Sequence, residues 1–175
     1  MQSGDLLLMD FGAEYANYAG DATRTVPVNG KFTPRQKEIY NSVLAIFKET
    51  IPLFKPGMTI HKINDFVFKR MEEELVKLGL LTEEDIRKQN PDRPLFKKYY
   101  MHNTSHFIGL DVHDVGERDW TFQPGMVLSC EPGIYVVEEG IGVRIETDVV
   151  VAENPINLMP DMPVEVEEIE ALMRR

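Results

Sequence analysis

One cysteine, Cys130, stands in 175 residues, so no disulfide can close within the chain. Such scarcity fits a reducing compartment, and a cytoplasmic protein is the expectation. Positive charge is also in deficit: 19 Lys and Arg face 29 Asp and Glu, for a net charge of −10. That balance argues against nucleic acid or an anionic membrane as partner. No apolar run approaches the ~20 residues that span a bilayer. The first run, Leu6–Met9, is too short for a secretory leader and lacks its basic flank. Low-complexity tracts and clear linkers are missing too, so one domain over residues 1–175 is expected. What is present, 43% hydrophobic and 27% charged residues, is enough for a sizeable core.

The order of elements can be read from local chemistry. Leu6–Phe11 is a continuous apolar run and reads as a buried strand. A second extended segment, Gly20 to Val28, closes on the turn pair Asn29-Gly30. The two form a hairpin that brings Asp10 and Asp21 to one face. Thr33-Pro34-Arg35-Gln36 combines an N-cap, a first-turn proline and a capping-box glutamine, so a helix starts there. Lys55-Pro56-Gly57 stops it. A second helix runs from Thr59 to Gly79, with Ile60, Ile63, Val67, Met71 and Leu75 on its apolar stripe. Thr82–Lys88 reads as a short third helix. From Met101 the texture turns to strands, over Phe107–Val112, Met126–Cys130, Ile134–Val137 and Gly142–Val151. Hairpin, helices, then strands is an α+β order.

Five residues can together hold two metal ions: Asp10, Asp21, His106, Glu131 and Glu146. Two like charges ~4 Å apart repel by roughly 4 kcal/mol at an effective dielectric near 20, and divalent cations would turn that repulsion into binding. Oxygen donors with one nitrogen and no thiolate suit hard or borderline metals. Each residue also has an ordinary reading. Asp10, flanked by Leu6–Met9 and Phe11, should be buried and need a partner. Asp21 could be a turn aspartate, and Glu131 a solvated residue before Pro132-Gly133. Arg144, Glu146 and Asp148 share one strand face, either a solvated sheet surface or a polar pocket wall. Three of the four histidines, His102, His106 and His113, fall within residues 102–114. Cys130 beside Glu131 reads as a small buried hydrophobe rather than a nucleophile. Packing is the default for Tyr99, Tyr100 and Trp120, and His61 receives no role.

The segments Leu8–Gly12, Gly20–Thr25, His102–Asp114, Glu131-Pro132-Gly133 and Arg144–Asp148 carry a resemblance. In that order they resemble the five ligand blocks of the pita-bread metallopeptidases: aminopeptidase P, prolidase and methionine aminopeptidase. Val28–Thr33, Lys55-Pro56-Gly57 and Glu167–Met173 look most like aminopeptidase P. Phe11 and Asn103 depart from the pattern, where alanine and glycine are common, but neither removes a ligand. The resemblance implies a pita-bread α+β domain, incomplete at its N-terminal side. It implies release of an N-terminal residue whose next residue is proline, through a hydroxide bridging two metals. Asp10 would chelate one metal, His106 and Glu131 the other, and Asp21 and Glu146 would bridge. Glu131 would shuttle protons, His102 and His113 would orient the proline end, and Arg144 would position a carboxylate. Manganese is the implied metal, with cobalt, zinc and iron as alternatives. Prolidase, a dipeptidase, is the nearest alternative activity, and a non-catalytic binding module or an inactive fragment of the fold the alternative of another class. Self-association that covers apolar surface is a further expectation.

Overall fold

Strand β1 (Leu6–Phe11) pairs antiparallel with β4 (Ala22–Pro27), with Asp10 opposite Thr23 and Phe11 opposite Ala22, in a computed structural model that describes residues 1–174. Between them, β2 (Glu14–Tyr15) and β3 (Tyr18–Ala19) form a small hairpin. Its two-residue turn, Ala16-Asn17, has φ of 52° and 61°, the left-handed pair of a type I′ turn. The main hairpin then needs a close crossing at its base. A Cβ on Gly12 would lie 1.8 Å from the Gly20 carbonyl oxygen, so only glycine lets the strands meet there.

The helices follow their caps. Helix α1 (Pro34–Thr50) carries the full capping box: the Thr33 hydroxyl accepts from the Gln36 amide, and Gln36 Oε1 accepts from the Thr33 amide. Helices α2 (Ile60–Lys77) and α3 (Glu83–Lys88) are capped by Thr59 and Thr82. Ile39, Val43, Ile46 and Phe47 of α1 share one buried core with Ile63, Val67, Met71 and Leu75 of α2. A salt bridge from Arg70 to Glu49, at 2.6 Å, ties the two helices at the surface. No helix among the described residues is long and apolar enough to cross a membrane.

The second half is antiparallel. Strand β5 (Val127–Cys130), β6 (Gly133–Val136), β7 (Ile141–Arg144), β8 (Thr147–Val150) and β9 (Ile156–Asn157) precede the closing helix α4 (Val166–Met173). They make two sheets, ordered β5-β8-β9 and β6-β7. Glu170 of α4 is buried and accepts the Phe32 amide at 3.1 Å, which docks the C-terminal helix beside the start of α1.

Two expectations need correcting. Phe107–Val112 is not a strand: beyond one bridge between Phe107 and Leu128 it folds back on itself. The Asp114 amide returns to the Phe107 carbonyl at 3.0 Å, and the Asp114 carboxyl lies where a Cβ on Gly109 would stand. Gly142–Val151 is not one strand either. The chain breaks at Ile145-Glu146, whose amides turn away to the carbonyls of Pro132 (3.3 Å) and Thr23 (3.1 Å), so β7 and β8 join different sheets.

Candidate metal centre

The register of the hairpin decides where its carboxylates point. Asp10 faces Thr23, and Asp21 lies two residues before Thr23, so the pair sits diagonally on one face. Asp21 is buried beneath the second half of the chain. Asp10 is not buried, contrary to the expectation from its apolar neighbours: its side chain is 55% exposed. The reason is topological. Strand β1 pairs only with β4, and no strand among the described residues covers its other edge. Asp10 meets its demand for a partner through the Arg144 guanidinium instead.

Glu146 sits at the break between β7 and β8, and Thr23 is across from it. The Thr23 hydroxyl donates to Glu146 Oε2 at 2.6 Å, and Arg144 Nε donates to that hydroxyl at 2.9 Å. Behind them Arg24, itself buried, donates to the Thr23 and Glu146 carbonyls at 2.8 and 2.6 Å. The Arg144, Glu146, Asp148 face is therefore a pocket wall, not a solvated surface. Glu146 is 2% exposed and Asp148 is 3% exposed.

The histidine-rich loop supplies the nitrogen. His106 Nδ1 faces the Phe107 carbonyl at 3.1 Å, which assigns the proton to Nδ1 and leaves the Nε2 lone pair free. Nε2 lies 3.5 Å from Asp21 Oδ2 and 3.5 Å from Glu131 Oε1. Asp21, His106 and Glu146 each offer a ligand atom within 4.8 Å of the others. Glu131 adjoins this trio through His106, and Asp10 stands at its rim on Arg144.

The electrostatics of the cluster are those of carboxylates short of positive charge. Burial, then the charges of Glu131 and Asp21, push Glu146 up to about 8. Burial pushes Glu131 up to about 7, with Asp21 adding to it and His106 and Arg144 opposing. Asp148 rises to about 6, from burial and the nearby Asp21 charge. Burial works against the imidazolium of His106, but Asp21, the Phe107 carbonyl and Glu131 outweigh it and the net shift is upward. The donors fit divalent cations: carboxylates, one imidazole in the ligating tautomer, and a buried Asp148 Oδ1 without a hydrogen-bond partner.

The other sequence candidates surround the cluster. His102 Nε2 meets the Tyr135 hydroxyl at 2.8 Å, and its Nδ1 faces the Asn103 carbonyl at 2.7 Å. Burial, aided by Arg144 and Lys97, lowers its pKa against the pull of Asn103. His113 is exposed, its ring centroid 4.3 Å from that of His106. It is shared by two cavities: one of about 480 Å³ beside Asp10 and Asp21, one of about 390 Å³ beside His102, His106 and Glu131. Cys130 is fully buried, and burial raises its thiol well above the usual range, as suits a packing residue.

Three residues in this network carried no role in the sequence reading: Thr23, Tyr135 and the Asp148 carboxylate, which accepts the Asp21 amide at 3.0 Å. Thr23 had a detectable signal. Asp21, just before β4, and Thr23 and Thr25 on it alternate, a polar row at strand spacing. Tyr135 had none, because its contacts cross between segments distant in the chain.

Comparison with known proteins places this geometry among peptidases. The family described as metallopeptidase family M24 matches residues 1–153. The Xaa-Pro aminopeptidase of Escherichia coli (strain K12) is 46% identical over 188 residues, covering 99% of this chain and 42% of its own length. Its counterpart in Haemophilus influenzae is 43% identical, covering 99% and 43%. Among solved structures, an E. coli aminopeptidase P variant in complex with substrate superposes with a TM-score of 0.90 at 44% identity. That superposition covers 99% of this chain and 42% of the other. A proline aminopeptidase P II from Yersinia pestis gives 0.90 at 42% identity, with the same coverage. The chain thus spans less than half the length of these relatives, and its fold is the pita-bread fold they share.

Proposed function

This chain belongs to metallopeptidase family M24, and on that premise we propose that it carries the catalytic centre of an Xaa-Pro aminopeptidase. The observation that carries the reading is the meeting of Asp21, His106 and Glu146 within 4.8 Å, with Glu131 against His106. The relatives named for this activity are 46% and 43% identical over nearly the whole chain, which is the support for proline specificity. We assign Asp10, Asp21, His106, Glu131 and Glu146 as ligands of two divalent ions, with manganese as the resident metal. The protein is expected to act in the cytoplasm on peptides, and its net charge of −10 speaks against nucleic acid or an anionic membrane as partner. Residues 1–175 are part of one catalytic domain in this reading.

Divalent cations at the centre would supply Lewis-acid activation of water and of the scissile carbonyl. The chain's own residues do the rest. Glu131, beside His106, would accept a proton from the attacking water and return it to the leaving nitrogen. Proline makes that nitrogen tertiary, so the ring must be bound rather than an amide N–H. His113, on the wall common to both cavities, would contact the ring. His102, kept neutral by burial, spends its one N–H on the Asn103 carbonyl and accepts from Tyr135 at Nε2, so it would orient the proline end by its ring rather than by donating a proton. Arg144 holds Asp10 in orientation while bonding Thr23 and Tyr135.

The test is an assay of the purified chain with manganese, cobalt or zinc, alongside measurement of bound metal. Release of the first residue from an Xaa-Pro-Xaa tripeptide, and not from its Xaa-Ala-Xaa counterpart, is the expected result. Cleavage of Xaa-Pro dipeptides alone would assign prolidase. Two bound metals with no cleavage of either would assign a non-catalytic domain or an inactive part of the catalytic one.

A further inference from the structure

Helix α2 presents Ile60, Ile63, Val67, Met71 and Leu75 to the core, and among them one amide, Asn64, only 4% exposed. A buried amide on an apolar stripe costs free energy unless its donors and acceptor are used. Asn64 uses them on a loop. Its Oδ1 accepts the Thr104 amide at 3.0 Å, and its Nδ2 points to Asn103 Oδ1 at 3.4 Å.

Thr104 is where the centre is joined together. It lies two residues after His102 and two before His106. Its carbonyl accepts the Glu131 amide at 2.9 Å, and its hydroxyl accepts from Tyr100 at 3.0 Å. The segment from Met101 to Ser105 belongs to no helix or strand, so ladder hydrogen bonds do not hold it. A shift of Thr104 would move both histidines and the backbone of Glu131 together.

We infer that Asn64 is a positioning residue, a strut from α2 that fixes Thr104 and through it the placement of His102, His106 and Glu131. The inference rests on the metal-centre reading above but concerns a helix that supplies none of the proposed ligands and reaches the cavity only at Ile60. Asn64 lines neither of the two cavities at the centre. Its effect is on the geometry of ligands, so it should act on metal affinity and turnover more than on substrate binding.

The experiment compares Asn64→Leu, which keeps bulk and removes both hydrogen bonds, with Asn64→Asp, which keeps the acceptor for Thr104. Asn64→Ala serves if the leucine variant does not fold. Manganese affinity by titration, kcat and KM on a tripeptide, and amide exchange at Thr104 and Glu131 are read for each. Expected for Asn64→Leu is a loss of about tenfold or more in metal affinity and in kcat. KM should stay within about twofold, exchange at the two amides should quicken, and Asn64→Asp should recover most of the loss. A folded leucine variant with wild-type affinity and kcat, even at a lower melting temperature, would overturn the inference, as would an aspartate variant equally impaired. If the wild-type chain binds no metal, the proposed function fails instead. Amide exchange then decides alone: faster exchange at Thr104 and Glu131 in Asn64→Leu upholds the strut, and unchanged exchange removes it.

Discussion

The Thr23 hydroxyl and the Glu146 carboxylate, both buried, are 2.6 Å apart, and no other side-chain hydroxyl bonds Glu146 among the described residues. Thr23→Val keeps the shape and deletes that bond. A buried carboxylate robbed of its donor loses ~1–3 kcal/mol. The variant should unfold at lower denaturant and bind metal about tenfold more weakly, as outer contacts of a ligand generally do. Thr23→Ser should restore both. Equal metal affinity in Thr23→Val and wild type would show that the hydroxyl does not orient Glu146.

Removal of metal should be costly. Ligand held at 1,000 times its dissociation constant stabilises the native state by ~4 kcal/mol. For a chain of this size each kcal/mol moves the midpoint by roughly 2–4 °C, so a chelator should lower the melting temperature by about 8–16 °C. Calorimetry of the manganese-loaded chain with and without chelator measures it. An unchanged midpoint in a sample shown to contain metal would count against the centre.

The metal-free chain should lose stability as pH rises. Glu131 and Glu146 have native values of about 7 and about 8, against 4.5 for the free carboxyl. Between pH 4.5 and about 8 the native state therefore holds more protons than the unfolded chain, and stability falls through that window. Asp148, at about 6 against 3.8, acts in the same sense at lower pH. His106, raised in the native state, also gives stability that fades as pH rises through its native value. His102 is lowered and acts oppositely, below its free value of 6.5. Denaturant midpoints of the stripped protein at pH 5 and pH 8 should show the decline, and saturating manganese should flatten it. A stripped protein more stable at pH 8 would refute the shifts.

Gly12→Ala tests the hairpin crossing. The added methyl would overlap the Gly20 carbonyl, so the strands must part just where Asp21 begins. Overpacking of this kind costs ~1–3 kcal/mol. Metal binding should weaken more than in Gly57→Ala, where a Cβ meets open space and the φ of 88° carries the strain alone. Equal affinity in the two variants would separate the crossing from the site.

Sequence carried the helices because their signals are local. Thr33, Thr59 and Thr82 each cap the helix whose start they mark. Asp21, His106 and Glu146, which the structure brings within 4.8 Å of one another, were also among the residues the sequence singled out. What escaped depends on partners far along the chain. Asp10 sits in an apolar run that spells burial, yet its strand has β4 as its one strand neighbour among the described residues and its side chain stays exposed. Glu146 lies in a run that spells one long strand, yet the carbonyls of Pro132 and Thr23 draw its neighbourhood out of the ladder. Phe107–Val112 reads as a strand by composition, but Asp114 folds it onto Gly109. Asn64 on its apolar stripe was silent, because a lone buried amide means nothing until its acceptor is known.

The three closest ligand groups come from an early hairpin, a mid-chain loop and the joint between two late strands. A cation shared by Asp21, His106 and Glu146 would pin together points separated by most of the chain. It would work as a reversible staple, shrinking the freedom of the unfolded polypeptide as a cross-link over long loops does. Emptying the centre should therefore soften the fold as a whole, so that protease sensitivity far from the metal would report on its occupancy.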